Sequence, residues 1–400
     1  MPVLRSLSTS AALALAAVGT LTAQQKAALS RPDAAFEEPF TSIRSIREIG
    51  PGKVLVSDQQ DKIVQLVDLA AGAATRVGRE GQGPGEYGFP GSLIPQPNGQ
   101  TLLHDMINRR LLTIGPDGKP GELVELPRPP ATATSSGPGF GGGFLFGPGE
   151  IHGDARGRIY FQPSPFRGPD QPPLDSAPIA RWDRGRSRID TLGWVKLAPN
   201  TMQVSGDRNR GTQVRIGGAK VFAPADAWGI AGDGRIARVT PTPYRVLWAT
   251  GDGTWKAGPV QPYTPLKVTE ADKEAVREAR RRVRPTMIMM GGDGGRRVAP
   301  APGPNPQIPE PEFEETKPPF EGASGARAVQ VSPEGEVWVL RTRPASDKTP
   351  SYDVFDGTGA LVTKVTLNPR SRVIGFGQGT VYVVRTDEDD LQYLERYRKP

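Results

Sequence analysis

A glycine, one mostly polar residue and then a run of apolar residues recur six times along the chain. Three copies read Gly52-Lys53-Val54-Leu55-Val56, Gly99-Gln100-Thr101-Leu102-Leu103 and Gly157-Arg158-Ile159-Tyr160-Phe161. The other three read Gly234-Arg235-Ile236-Ala237-Arg238, Gly335-Glu336-Val337-Trp338-Val339 and Gly379-Thr380-Val381-Tyr382-Val383. Each glycine follows turn formers such as Pro97-Asn98 or Pro333-Glu334, and another short apolar run precedes it. Glycine supplies the positive φ of a tight hairpin, and β-branched or aromatic residues suit the strand behind it. A hairpin repeated six times points to a repeat architecture.

In five copies a second glycine follows: Gly72, Gly118, Gly185, Gly253 and Gly359, lying 20, 19, 28, 19 and 24 residues after the first. Between the two lie runs such as Ile63-Val64-Gln65-Leu66-Val67 and Tyr352-Asp353-Val354-Phe355. Each unit therefore reads as strand a, turn, strand b, loop, strand c, turn, strand d. The expected fold is all-β, a six-bladed β-propeller of four-stranded antiparallel blades over residues 24–400. Its blades fall near 43–80, 92–127, 149–197, 225–260, 326–368 and 371–399. The sixth copy ends after strand c at Leu391–Tyr397, so its outer strand is expected from within residues 24–42. Such a strand closes the ring and removes an exposed edge. Two unrelated β-sandwiches, the competing architecture, would not call for a missing last strand.

Residues 1–23 carry Arg5, the apolar run Ala11–Val18 and the small pair Thr22-Ala23 ahead of Gln24, the pattern of a secretory signal peptide. The run is too short to cross about 30 Å of hydrocarbon, and no other stretch approaches about 18 apolar residues. No membrane span is expected in the mature chain. Cysteine is absent, which excludes disulfides, thiolate zinc sites and a cysteine nucleophile. An exported chain without cysteine suits a bacterial periplasm or exterior. Only two histidines occur, His104 and His152, so one chain cannot build a three-histidine metal site. A formal net charge of +7 is too small for a nucleic-acid coat, and no nucleic acid is expected as partner. A monomer is expected.

In a propeller the a–b and c–d turns share one face, while b–c loops and d–a connections share the other. Long segments occur at the d–a connections 127–148, 198–224 and 256–324 and at the b–c loop 163–176, all on one face. One-sided lengthening marks that face as the working one. Within the longest insertion Thr269-Glu270-Ala271-Asp272 reads as a capping box, opening a helix placed at 267–284. Its apolar stripe would be Val268, Ala271, Ala275, Ala279 and Val283, and Pro285 ends it. Residues 285–316 and 137–149, rich in Gly and Pro, read as disordered.

Six residues beyond each opening glycine stand Asp58, Asp105, Pro163, Thr240, Arg341 and Arg385. Asp58, Asp105, Arg341 and Arg385 fall on four consecutive blades at the long-loop face, where two guanidinium groups could hold a carboxylate or phosphate. A competing reading makes them salt bridges and turn caps. The spacings Asp58…Lys62 and Asp105…Arg109 favour it, since each would brace its own b–c loop. His152, on strand a of the third blade near the channel, is the candidate for acid–base work. Glu150 and Asp154, two residues to either side, would share its side of the strand, although a structural histidine is the simpler reading. No metal-ligating set is read. A calcium or magnesium ion held by oxygen ligands in the channel is the metal site that composition leaves open. Gly81-Gln82-Gly83-Pro84-Gly85 lacks the Gly-Lys-Ser/Thr ending of a phosphate loop.

The stretch Gly78-Arg79-Glu80-Gly81-Gln82-Gly83-Pro84-Gly85-Glu86-Tyr87, with Pro90, resembles the first d–a connection of secreted bacterial six-bladed propellers of NHL-like type. Lys317-Pro318-Pro319-Phe320 with Gly335–Val339 is similar to their fifth blade, and Tyr352–Asp356 with Gly359 continues the likeness. The resemblance spans most of residues 40–400. It implies the six-bladed fold and export, and no particular reaction. Some NHL-type propellers are metal-dependent lyases or lactonases with histidine and carboxylate ligands around the channel. Two functions follow as expectations. One is a non-catalytic binding module, without cofactor, presenting its long-loop face to a protein, a glycan or a small anionic ligand. The other is a divalent-metal-dependent hydrolase or lyase with an oxygen-ligand site in the channel and His152 as base.

Overall fold

All six opening glycines adopt positive φ, between 65° and 98°, and each ends a tight a–b hairpin turn. The computed structural model describes residues 25–127, 151–163, 174–199, 201–205, 213–217, 220–250, 253–282, 286–290, 296–300, 310–320 and 328–400. The expected signal peptide 1–23 lies outside these residues, as do the stretch 137–149 and most of the loops 127–148 and 163–176. Six antiparallel four-stranded sheets follow one another along the chain. Blade 1 is Ile43–Gly50, Lys53–Asp58, Ile63–Asp68 and Ala73–Arg76; blade 2 is Pro90–Pro95, Thr101–Asp105, Arg110–Ile114 and Pro120–Glu125. Blade 3 is His152–Gly153, Ile159–Phe161, Ser176–Asp183 and Arg188–Lys196; blade 4 is Ala227–Ile230, Ile236–Pro241, Tyr244–Ala249 and Trp255–Ala257. Blade 5 is Val329–Val331, Val337–Leu340, Ser351–Phe355 and Leu361–Leu367. No helix among the described residues is long and apolar enough to cross a membrane.

The runs behind the opening glycines are apolar at consecutive positions because strand b is buried on both faces. Val54 and Val56 pack toward blade 6, while Leu55 between them packs toward blade 2. Val337 and Val339 face blade 4 and Trp338 faces blade 6. Alternate side chains on a strand point to opposite sides, so one strand feeds two interfaces. The buried apolar residues accordingly form six clusters, one between each pair of neighbouring blades.

Blade 6 comprises Ser371–Gly377, Thr380–Thr386 and Gln392–Arg398, and its fourth strand is Ala34–Ala35. Ala34 pairs with Arg396 and Ala35 with Glu395, and a further bridge joins Phe40 to Gln392. Asp33 adds an ion pair to Arg396 at 3.2 Å. Phe36 and Phe40 are buried in the blade 6–blade 1 cluster beside Ile43, Ile374 and Leu394. Across the same seam the Tyr382 hydroxyl donates to Glu48 Oε1 at 2.6 Å, and the Gln378 N–H donates to Oε2 at 2.9 Å. The residues before this strand do something else. Gln25–Leu29 runs parallel to Thr363–Leu367 as a fifth strand on blade 5, covering that blade's open edge.

Three local expectations change. In the c–d turn of blade 3 the left-handed residue is Ser187, at φ 48°, and not Gly185. The insertion helix spans Glu270–Arg282, but Ala271, Ala275 and Ala279 of its expected apolar stripe are exposed. Asp272 is the buried position instead, because an alanine methyl gains little from burial compared with the bonds this carboxylate makes. Disorder over 285–316 does not hold throughout. Thr286–Met290 pairs with Arg296–Pro300 as a hairpin, and Thr316–Lys317 pairs with Leu266–Lys267. Residues 291–295 and 301–309 lie outside the described ones.

If the N-terminal segment closes the ring as drawn, Phe36→Ala should cost about 3–5 kcal/mol, the usual penalty for emptying a buried phenylalanine site. Urea unfolding at neutral pH reads this directly. A loss below about 1 kcal/mol would show that the segment is dispensable.

Candidate functional site

The insertion between blades 4 and 5 is tied to the b–c/d–a face through one carboxylate. Asp272 Oδ2 accepts from the Thr269 N–H at 2.9 Å and hydroxyl at 2.8 Å, while the Asp272 N–H returns a bond to the Thr269 hydroxyl at 3.3 Å. That is the reciprocal capping box expected from sequence. Asp272 Oδ1 accepts from Lys317 Nζ at 2.7 Å and from the Ala345 N–H at 2.8 Å. Lys317 and Asp272 are both buried, and Lys317 also donates to the Arg343 carbonyl at 2.7 Å. Burial alone would raise the Asp272 carboxyl, but Lys317, Thr269 and Ala345 outweigh it and hold it down to about 2. Around this pair, Lys317 lies 4.9 Å from the Phe222 ring centre, and the rings of Phe222 and Phe313 are 6.4 Å apart. Arg277 and Lys273 of the helix lie over Phe313. Helix, d–a connection and the b–c loop of blade 5 thus form one annex on the long-loop face.

Arg341 lies beneath this annex. Its Nη1 donates to Asp353 Oδ2 at 2.6 Å, and its guanidinium stacks 4.9 Å from the Tyr244 ring and 5.1 Å from the Tyr263 ring. The Tyr244 hydroxyl donates to the same carboxylate oxygen at 2.9 Å. Burial and then the Asp353 charge push the Tyr244 hydroxyl well above its usual range. Tyr263 donates to the carbonyls of Lys317 and Pro318, joining this cluster to the Asp272 anchor.

The other three strand-end residues also have partners inside the fold. Arg385 meets Glu395 at 2.7 Å and stacks on Tyr393 at 4.5 Å. Asp58 accepts four backbone N–H bonds, from Thr41, Ser42, Gln60 and Asp61, at 2.7–3.1 Å. Asp105 accepts from Gly88 and Phe89 on the incoming chain, from Asn108, and from Arg110 Nε at 3.2 Å. Both aspartates brace their own b–c loops, but not through the cations the spacing suggested. Lys62 pairs with Glu80, and the partner of Asp105 is Arg110 rather than Arg109. The hydrogen bonds therefore join each strand-end residue to its own surroundings and do not link the four to one another. The glycine-rich stretch 78–87 is likewise structural: Arg110 donates to the carbonyls of Gln82 and Glu86, and buried Tyr87 accepts from the Val64 N–H.

At the channel, His152 stands edge-on to Trp228 of blade 4, with ring centres 5.0 Å apart. Glu150 lies outside the described residues. Asp154 is fully buried in the a–b turn, where it accepts from the N–H groups of Arg156 and Arg158, from Arg158 Nε and from the Tyr160 hydroxyl. A carboxylate so engaged does not fit a metal ligand or a partner for His152. Among the described residues no group of three or more His, Asp or Glu side chains is placed to hold a metal ion. The second histidine, His104, sits on strand b of blade 2, where burial and then the Arg44 charge push its imidazole down to about 4. Sequence reading took Asp272 only as a helix cap and missed its tie to Lys317, as it missed Asp353 and the two tyrosines, because nothing in their spacing announces contacts over 45 or 109 residues.

No protein-family model matches the chain, and no curated protein matches it. Solved structures do, at low identity. A gluconolactonase of Xanthomonas campestris is 13% identical, with 91% of this chain and 92% of that one aligned at a TM-score of 0.43. A DUF4221-family protein of Bacteroides vulgatus is 8% identical over 92% and 94%, also at 0.43. A catalytically inactive virginiamycin B lyase of Staphylococcus aureus, solved with quinupristin, is 12% identical over 90% and 96%, at 0.36. The six-bladed ring of this chain rests on its own strand pairing.

Two outcomes are expected. Lys317→Met leaves a buried carboxylate without its cation and should cost roughly 3 kcal/mol in urea unfolding, whereas Asp272→Leu/Lys317→Met should recover part of that loss. An unfolded histidine binds its proton from about pH 6.5 downward, while His104 in the fold resists until about 4. Stability should therefore fall by up to about 3 kcal/mol as pH drops from about 6.5 to 4. His104→Gln should flatten that slope; an unchanged slope would place the titration elsewhere.

Proposed function

We propose that the protein is an exported, NHL-like propeller that acts as a monomeric, non-catalytic binding module through its annex-bearing face. The observation that carries this reading is the anchoring of the described part of the 256–324 insertion by Asp272. Loop closure entropy makes long connections easy to accommodate without any fixed contour. The insertion's helix is held by a buried ion pair, a reciprocal cap and a set of cation–aromatic contacts, so the helix offers a fixed surface to a partner. The outward side of its helix bears Ala271, Glu274, Ala275 and Ala279, small and acidic positions over which a protein or glycan surface can close. Arg341, read from sequence as a ligand group, supports the annex from below through Asp353 and Tyr263.

The test places bulk on that outward surface. Ala275→Arg/Ala279→Arg touches none of the anchoring contacts and should leave the melting temperature within about 2 °C. Binding from an exported fraction or a glycan array should be lost in this variant and retained by the wild type. Equal capture by both would overturn the annex as the binding surface. Turnover of an ester, lactone or lyase substrate that requires calcium or magnesium, and fails with EDTA or with His152→Ala, would overturn the non-catalytic reading.

A further inference from the structure

The a–b turn of blade 2 and the a–b and c–d turns of blade 3 enclose an open cleft of about 550 Å³. It lies at the end of the blades opposite the annex. Arg156, Arg158 and Arg184 line it, with Gln96, Trp182 and Asp183. Asp183 accepts from the Arg186 N–H at 3.2 Å and lies 3.9 Å from Arg186 Nε, so the one carboxylate on the wall has its own cation. Arg158 is matched by Asp154 beneath it. Arg156 and Arg184 have no ion pair among the described residues.

The environment of Arg184 is informative. Its half-buried guanidinium donates through Nη1 to the neutral Gln96 Oε1 at 3.2 Å, and partial burial lowers its affinity for the proton. Arg47, also half-buried, donates to the Gln96 carbonyl at 3.4 Å, to Thr101 Oγ1 at 2.7 Å and to the Gln100 carbonyl, and burial pushes it down to about 10. Two guanidinium groups thus meet one glutamine, and the hydrogen bonds they make among the described residues go to neutral oxygens. A partly desolvated cation without an anion gains from one that binds beside it. The rim holds the turns close: a Cβ at Gly157 would come within 2.9 Å of Pro97 Cδ. The cleft also falls within the usual volume range of small-molecule sites.

From this geometry we infer that the cleft between blades 2 and 3 is a binding site for a small oxyanion, a phosphate or carboxylate compound, with Arg184 and Arg156 as its cationic ligands. Each guanidinium can offer a two-pronged set of N–H donors to such a group. The inference is independent of the annex, since it concerns the other face.

The experiment titrates the full chain with inorganic phosphate and, separately, citrate, by calorimetry at low ionic strength. Saturable binding is expected to at least one, and the stronger arm identifies the anion class. Affinity should fall as salt is raised. Arg184→Gln and Arg156→Ala should each weaken it by roughly 10-fold or more, while the distant surface change Arg79→Gln should not. Without anion, Arg184→Gln should melt no lower than the wild type, because it removes an uncompensated charge. Should it fail to fold, the exposed Arg156→Ala carries the same test. No binding of either anion, or equal weakening by Arg79→Gln, would overturn the assignment. Ala275→Arg/Ala279→Arg should leave anion binding unchanged, which separates this site from the annex.

Discussion

The ring is held together by burying both faces of every strand b. A sheet with two apolar faces needs a cover on each side. In a closed ring of six each blade covers two neighbours, and the six interblade clusters are the result. An open arrangement would leave the first and last blades each with a bare face, and blade 6 with an unpaired edge. The seam between blades 6 and 1 therefore matters more than its short strand suggests. Ala34–Ala35 contributes only two residues of pairing, but Phe36, Phe40 and the Tyr382–Glu48 bond fasten the two ends of the blade series across it.

Closure also explains why charge gathers at strand ends. The b strands are apolar along their buried middles, so Asp58, Asp105, Arg341 and Arg385 stand at or near their far ends, and the buried carboxylates Asp353 and Glu395 on the c strands are met there by the two arginines. There an aspartate can accept several backbone N–H groups that the turn leaves without partners, which orders the loop. The two arginines, longer and planar, instead stack on tyrosines and reach carboxylates of the next strand. Asp272 extends the same logic to the insertion, ordering a helix cap and a distant loop with two oxygen atoms.

Much of the fold was legible because its signals are local. The opening glycines mark turns that require positive φ, and consecutive apolar residues behind them mark strands buried on two sides. The need for a closing strand followed from counting strands in the last blade. Legibility failed where a local pattern had two readings. Gly185 looked like the turn residue, although Ser187 two positions later takes the left-handed conformation. The alanine stripe looked like a packing face, although a buried ion pair turned the helix the other way. Glycine and proline masked the short strand Thr286–Met290. The strand-end residues could be located from sequence but not given partners, and Arg110 rather than Arg109 met Asp105.

Backbone requirements and burial pattern are written along the chain, since φ at a turn and the two-sided apolarity of a strand depend on a few neighbouring residues. The sequence therefore determined by itself the number of blades, the position of their turns and the place from which the ring is closed. Electrostatic partnership was decided only in three dimensions. A cationic side chain interacts with whatever oxygen stands within about 3 Å, and the ring brings Lys317 to Asp272, Arg341 to Asp353 and Arg184 to Gln96 across 45, 12 and 88 residues of chain. Whether such a cation is neutralised from within or left for a ligand depends on the arrangement of neighbouring blades, which no spacing in the chain encodes.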